Sequence, residues 1–409
     1  MKRLETNLGL RGNAIVMAYT ETIGQGVLFI TSTFWSIYVL DLGASITLIG
    51  LLAFIPGLVR IFVQAPVGYI SDRYGRKKLI VLGGAIASFA PFLYYIANNW
   101  LLLIPGVILE AFTNAVLPAR QAMFAAAVEP EKRGTAFATF HTFFSLAAGT
   151  MPIAGGFLLD SMGIVPGMKV AFLLTGTVML LASFGRALFL KEDIINTVKT
   201  TEDEFNLKHV LKEMFEPVTH NRVLMVAITG SFLFSLTVGI ITRYSVVYAI
   251  DVIKLSKVEW GFVAGSIGIM GIFTRIPIGK MVDRLDRKTS LMLSYSIRPL
   301  CILAFTISGS FLQVLVIQLF DSFFGYIQQP TIEALVIDVT ASDRMGRAYG
   351  AMNMIPGIAL TVSPLIGGFI WDVFGAGCAF YLSAGFSLMA AFFIWFLLHE
   401  PKRSSVKNV

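Results

Sequence analysis

Charge is what this sequence has least of for its size. Only 14% of its 409 residues are Asp, Glu, Lys or Arg, against roughly a quarter in an ordinary soluble domain. With 56% hydrophobic residues there is too little polar material to clothe a core in water, which argues against a soluble globular fold. Cysteine is nearly absent. The two present, Cys301 and Cys378, lie in apolar runs and suggest neither a disulfide nor a metal site. The four histidines form no cluster with metal-ligand spacing, and GxxxxGK and nucleophile motifs are missing. The chain is therefore expected to be no enzyme, to need no cofactor or metal, and to lack an ATP site of its own.

Apolar runs fill the space that charge leaves. A helix crosses a hydrocarbon layer of roughly 30 Å with about 20 residues. Twelve segments qualify: 14–40, 45–70, 78–98, 101–127, 134–159, 168–190, 222–249, 258–282, 289–309, 311–338, 345–371 and 375–398. The tenth, interrupted by Asp321 and Glu333, is the weakest. The expected fold class is an all-α membrane protein of twelve transmembrane helices. The first run is too long for a cleaved signal peptide. With both termini in the cytoplasm, the inner segments hold 23 Lys and Arg and the outer loops three, Lys169, Lys254 and Lys257. This bias fixes the expected orientation in the cytoplasmic membrane. The net charge of +7 then reflects topology and anionic lipid, with no nucleic-acid partner implied.

The halves repeat. At a shift of 211 or 212 residues, Gly50 falls on Gly261, Asp72 on Asp283, Arg73 on Arg284, Arg76 on Arg287 and Pro118 on Pro330. PIAGGFLLDSMG, from Pro152 to Gly163, falls on PLIGGFIWDVFG, from Pro364 to Gly375. The expected organisation is a six-helix bundle over 1–190, a cytoplasmic linker over 191–221, a second six-helix bundle over 222–398 and a tail over 399–409. The stretch from Lys191 to Arg222 has seven acidic residues against five Lys and Arg and reads as a solvated connector, with a regulatory role as the alternative.

The most charged stretch between apolar runs is GYISDRYGRKK, Gly68 to Lys78, and its partial copy is GKMVDRLDRKT, Gly279 to Thr289. Topological anchoring explains the Lys and Arg but not a Gly and an Asp at the same offset in both halves. Here the chain resembles the major facilitator superfamily of secondary transporters over essentially its whole length. Gly68, Asp72, Arg73, Gly75, Arg76 and Lys77 fall on the positions of that family's loop between helices 2 and 3. The resemblance implies two six-helix bundles with pseudo-twofold symmetry, a cavity lined by helices 1, 4, 7 and 10, and alternating access. It also implies a conformational latch at Gly68, Asp72, Arg73, Gly75 and Arg76, with Asp283, Arg284 and Arg287 as its second copy. Asp286 stands where the family has Gly, which points to a stronger latch in the first half.

Ionisable residues inside apolar helices need a partner, water or a function, because an unpaired charge there costs about 2.5–3.5 kcal/mol on insertion scales. Glu110 and Asp321 are repeat-related and lie midway along helices 4 and 10. They, with Glu21 in helix 1, are candidates for substrate or proton handling, and Arg120, Arg243 and Glu333 are candidate partners or gates. Arg60, Arg186, Arg275 and Arg298 read as packing, snorkelling or orientation-dependent residues, and His141 as a weaker candidate. The aromatics Tyr19, Phe29, Phe34, Trp35, Phe140, Phe143 and Phe144 fit lipid contact and bundle packing more readily than a binding surface.

Pro152, Gly155 and Gly156 in part resemble the helix 5 signature of drug and proton antiporters, although Met151 replaces its Gly. Pro364, Gly367 and Gly368 repeat the element in helix 11, where it could serve bending or close packing. Helix 4 lacks the Arg usual in such antiporters. Two readings stay open: efflux of a small organic solute against protons, and uniport or symport of a sugar, organic acid or amino acid. A non-transporting receptor is a more remote third. The expected partners are the solute, protons and membrane lipid, and the chain is expected to be a monomer.

Overall fold

The computed structural model describes residues 12–59, 75–129, 132–192, 215–341 and 344–399, and among them it contains helices and no strand. Among the described residues ten helices are long and apolar enough to cross a membrane, and two shorter apolar helices are Ile46–Val59 and one from Trp100. We number them α1 (Asn13–Asp41), α2 (from Ile46), α3 (Arg76–Ile96), α4 (Trp100–Ala126), α5 (Arg133–Met162), α6 (Ile164–Phe189), α7 (Arg222–Val252), α8 (Lys257–Arg284), α9 (Arg287–Thr306), α10 (Phe311–Val339), α11 (Met345–Phe374) and α12 (Ala376–Leu397). Each of the twelve apolar runs is helical over most of its described residues, including the weakest, α10.

Local chemistry sets the breaks. α3 is interrupted at Phe89, two residues ahead of Pro91, and α4 at Val116, two residues ahead of Pro118, where proline lacks the N–H that would bond back into the preceding turn. Asn221 starts α7, its side chain accepting from the N–H groups of Val223 and Leu224 at 3.0 and 3.3 Å. The turns from α5 to α6 and from α11 to α12 pass through the repeat-related Gly163 and Gly375, at φ 84° and 95°, a left-handed geometry that favours glycine.

Contacts divide the chain into two units. The first comprises residues 1–45, 52–201 and 249–272, and the second 46–51, 202–248 and 273–409. The start of α2 thus goes with the second unit and the first half of α8 with the first, an exchange that the linear division into bundles does not contain. Within the first unit α1 packs along α5 and α6, and α3 along α4 and α6; within the second, α7 packs along α11 and α12, and α9 along α10 and α12. The packing therefore repeats as the sequence does. Met17, Ile80, Met123 and Ala136 centre one core, and Leu224, Tyr295, Leu335 and Ile394 the other. Large apolar side chains such as Phe184, Phe273, Leu300 and Phe396 stand exposed on the helices, the surface a lipid solvent requires.

Candidate functional site

The ionisable residues fall into separate clusters. In the first unit, Glu21 of α1 sits between two arginines. Its carboxylate lies 3.0 Å from Arg120 Nη1 of α4 and 3.0 Å from Arg186 Nη2 of α6. Arg186 Nε also donates to Thr20 Oγ1 at 2.9 Å. All three charged side chains are at most 10% exposed. The two arginines border a narrow crevice lined also by Gln25, Gly84, Val116 and Met179. One carboxylate thus faces two guanidiniums, and at such burial the shared anion is what makes the second cation tolerable.

The second unit solves the problem differently. Arg298 of α9 forms a two-toothed pair with Asp321 of α10, Nε to Oδ1 at 3.0 Å and Nη2 to Oδ2 at 2.8 Å. Its guanidinium also lies over the Phe234 ring at 4.8 Å, and that ring stacks on Tyr295. Parallel hydrogen bonds and an aromatic face hold this pair in one geometry.

Glu110, the repeat partner of Asp321, has no such company. Its Oε2 accepts from Tyr94 Oη at 2.8 Å, and among the described residues no cation pairs with it. Tyr94 is fixed in turn: its carbonyl accepts from Tyr38 Oη at 2.8 Å, and its ring packs on Trp35 and Phe172. Two carboxylates at equivalent positions have therefore taken opposite surroundings, because residue 298 is Arg and its equivalent in α3, residue 87, is Ala.

Of the other candidates, Glu333 accepts from Gln329 of its own helix at 2.6 Å, Arg243 is half-buried beside Tyr244, and Arg275 and His141 are exposed. Phe34 is fully buried, Phe29 meets Phe144 edge to face at 5.1 Å, and Tyr19 and Phe143 are exposed. Arg60, Gly68, Asp72 and Arg73 lie outside the described residues, as do most of the linker and tail.

What can be seen of the two charged loops explains the departure at Asp286. Gly75 has φ 93°, and the side chain of Glu192, just past α6, occupies the space a Cβ there would take. Glu192 Oε1 accepts the Lys77 N–H at 3.0 Å, so the start of α3, with Arg76 as its first residue, is capped from elsewhere in the chain. In the second copy Asp286 has extended backbone and accepts the Thr289 N–H of its own helix at 3.0 Å. Arg287 reaches Asp338 at the end of α10 at 2.9 Å, while Asp283 and Arg284 are exposed.

Pro152 and Pro364 lie inside continuous helices, and their glycines serve close approach. A Cβ on Gly156 would lie 2.6 Å from the Lys257 carbonyl of α8, and one on Gly368 2.7 Å from the Ile46 carbonyl of α2. Gly155 and Gly367 face Phe34 and Ile240. The same helix ends carry two carboxylates to which the sequence reading gave no role. Asp160 of α5 accepts from the N–H groups of Lys257 and Val258 at 3.3 and 3.2 Å. Asp372 of α11 accepts from Thr47 N–H and Thr47 Oγ1 at 2.8 and 2.6 Å. Their signal in the sequence was the shift of 212 that relates them. Arg186, Arg298 and Tyr94 carry no comparable signal, since none has a counterpart in the other half.

Comparison with known proteins places these features in a family. The Major Facilitator Superfamily profile matches residues 21–305 and 272–409. An uncharacterised MFS-type transporter of Methanocaldococcus jannaschii is 26% identical over 395 residues, covering 95% of this chain and 97% of its own. The multi-drug resistance efflux pump PmrA of Streptococcus pneumoniae is 25% identical, covering 80% of this chain and 79% of its own. Among solved structures, a bacterial homologue of the human lysosomal transporter Spinster superposes with a TM-score of 0.77 at 12% identity, over 94% of this chain and 96% of that one.

Proposed function

The chain belongs to the Major Facilitator Superfamily, and we propose that this multi-pass membrane transporter exports a small apolar or amphipathic organic solute in exchange for protons, by alternating access, with both termini in the cytoplasm. Multidrug efflux relatives at 22–25% identity support the substrate class. The exported solute and the proton are then the two ligands whose binding must oppose each other.

The contrast between Glu110 and the other two carboxylates carries the proposal. Protonating Glu21 or Asp321 would break charge-assisted bonds to arginine. Protonating Glu110 breaks no ion pair with a described residue. Its hydrogen bond to Tyr94 need only reverse, with the carboxylic acid donating and the phenol oxygen accepting. Glu110 is thus the proton-exchanging group of this reading, and the two arginine-bound carboxylates hold helices together.

The test is proton movement in proteoliposomes loaded with a pH-sensitive dye, driven by gradients of ethidium and of neutral amphiphiles. Proton flux opposite to solute flux in the native protein, abolished in Glu110→Gln and retained in Tyr94→Phe, is expected. Solute flux with no proton movement would leave a facilitator and refute the coupling. Undiminished proton flux in Glu110→Gln would take the role away from that residue.

A further inference from the structure

An α-helix begins with N–H groups that no earlier carbonyl within the helix can accept. At the start of α8 each has a partner. Ser256 and Glu259 form a capping box: Glu259 N–H donates to Ser256 Oγ at 3.1 Å, and Ser256 N–H to Glu259 Oε2 at 2.8 Å. The two donors between them, on Lys257 and Val258, go to Asp160 of α5, which also lies 3.6 Å from Lys257 Nζ. Half of this cap therefore belongs to the helix and half is lent by another helix. At the start of α2, the Thr47 N–H and hydroxyl go to Asp372 of α11 in the same way. The repeat relates Asp160 to Asp372 and Gly156 to Gly368, so both the carboxylate and the glycine contact beneath it occur twice.

We infer that Asp160 and Asp372 are paired releasable clasps, which hold the first turns of α8 and α2 against the ends of α5 and α11 in one state and let go in the other. The inference rests on the transporter reading, because only a chain that alternates has a use for release. Two features suit them to it. The carboxylates are attracted to the positive end of a helix other than their own, so separating the helices breaks the contact, whereas the cap that Asp286 supplies lies at the start of its own helix. The bonds lie at exposed helix ends, on the side the charge pattern assigns to the outside, where water can take over freed N–H groups. Beneath each carboxylate, glycine meets backbone, joined at Gly368 by the Tyr244 hydroxyl, which donates to the Ile46 carbonyl at 3.4 Å, so parting there frees one further hydrogen bond.

Spin-label distances on the full chain in lipid nanodiscs read the clasps directly. With Cys301 and Cys378 replaced by Ser, label pairs at Ser161 and Phe262 follow α5 against α8, and pairs at Leu51 and Phe374 follow α2 against α11. Phe262 and Leu51 lie beyond the capped residues, so fraying of a first turn leaves them in place. The expected native result is a short-distance population in both pairs. Asp160→Ala and Asp372→Ala should each reduce that population at least threefold in their own pair, and the Asn variants, which keep one acceptor oxygen, should fall between. Unchanged distributions in both Ala variants, or a native protein lacking the short population, would overturn the inference. Because no solute is present, clasps that open in a protein exporting nothing would keep this inference and sink the efflux reading. Unaltered distances with intact export would do the reverse.

Discussion

Replacing Glu21 by Gln removes the one described carboxylate that Arg120 and Arg186 share. Both guanidiniums approach it to 3.0 Å, and both arginines are at least 92% buried. Removing one partner of a buried pair typically costs about 3–5 kcal/mol, because a charge is left without compensation. Here two cations are left facing each other, which puts the expected loss at the upper end, about 4–5 kcal/mol, or roughly three orders of magnitude in the unfolding equilibrium. Arg186→Met is the informative contrast. It keeps an unbranched chain in place and leaves Glu21 with Arg120 as a neutral pair, so its expected cost is about 1–2 kcal/mol, that of the lost hydrogen bonds. Titrating the purified protein from dodecyl maltoside into SDS, with helix content and tryptophan emission as probes, measures both. A Glu21→Gln variant within 1 kcal/mol of native, or one more stable than Arg186→Met, would refute the shared-anion account.

The same titration applies to Arg298 and Asp321. Each single change, Arg298→Met or Asp321→Asn, is expected to destabilise by about 3 kcal/mol, and the double variant to lose less than the sum of the two; strict additivity would show that the pair is not coupled. Both capped loops should lose stability on substitution, for different reasons. Asp286→Ala should cost about 1 kcal/mol and speed amide exchange at Thr289. Gly75→Asp, although it copies the second half, should destabilise because of φ 93° and the Glu192 side chain already seated there; a stabilised Gly75→Asp protein would contradict the geometry.

Much of this protein could be read along the chain. A lipid solvent obliges each crossing to be a run of about 20 apolar residues with its own backbone bonds satisfied, so helix number and approximate bounds follow from composition alone. Prolines 91 and 118 mark breaks that the apolar count passes over, since a break in a helix need not break an apolar run. The repeat was also legible, because glycines, prolines and charges at helix ends answer to local backbone demands that recur in both halves. The resemblance to the family rests on the same residues, and the profile match over residues 21–305 and 272–409 shows membership.

Tertiary structure decided who meets whom. Glu21 and Arg120 are 99 residues apart, and Asp372 and Thr47 are 325 apart. Such pairings depend on how each helix is rotated about its axis, and in helices apolar on nearly every side no periodicity reports that rotation. Symmetry itself misleads at this level: Glu110 and Asp321 hold equivalent places, yet an arginine at 298 binds one and a tyrosine at 94 the other. The sequence by itself determined twelve crossings, their repeat and their family. Only the folded helices determined which carboxylate is held by arginine, which is left with a neutral hydroxyl, and which two lend themselves as caps to another helix, because a buried charge is defined by the groups within about 4 Å of it and the chain order does not record them.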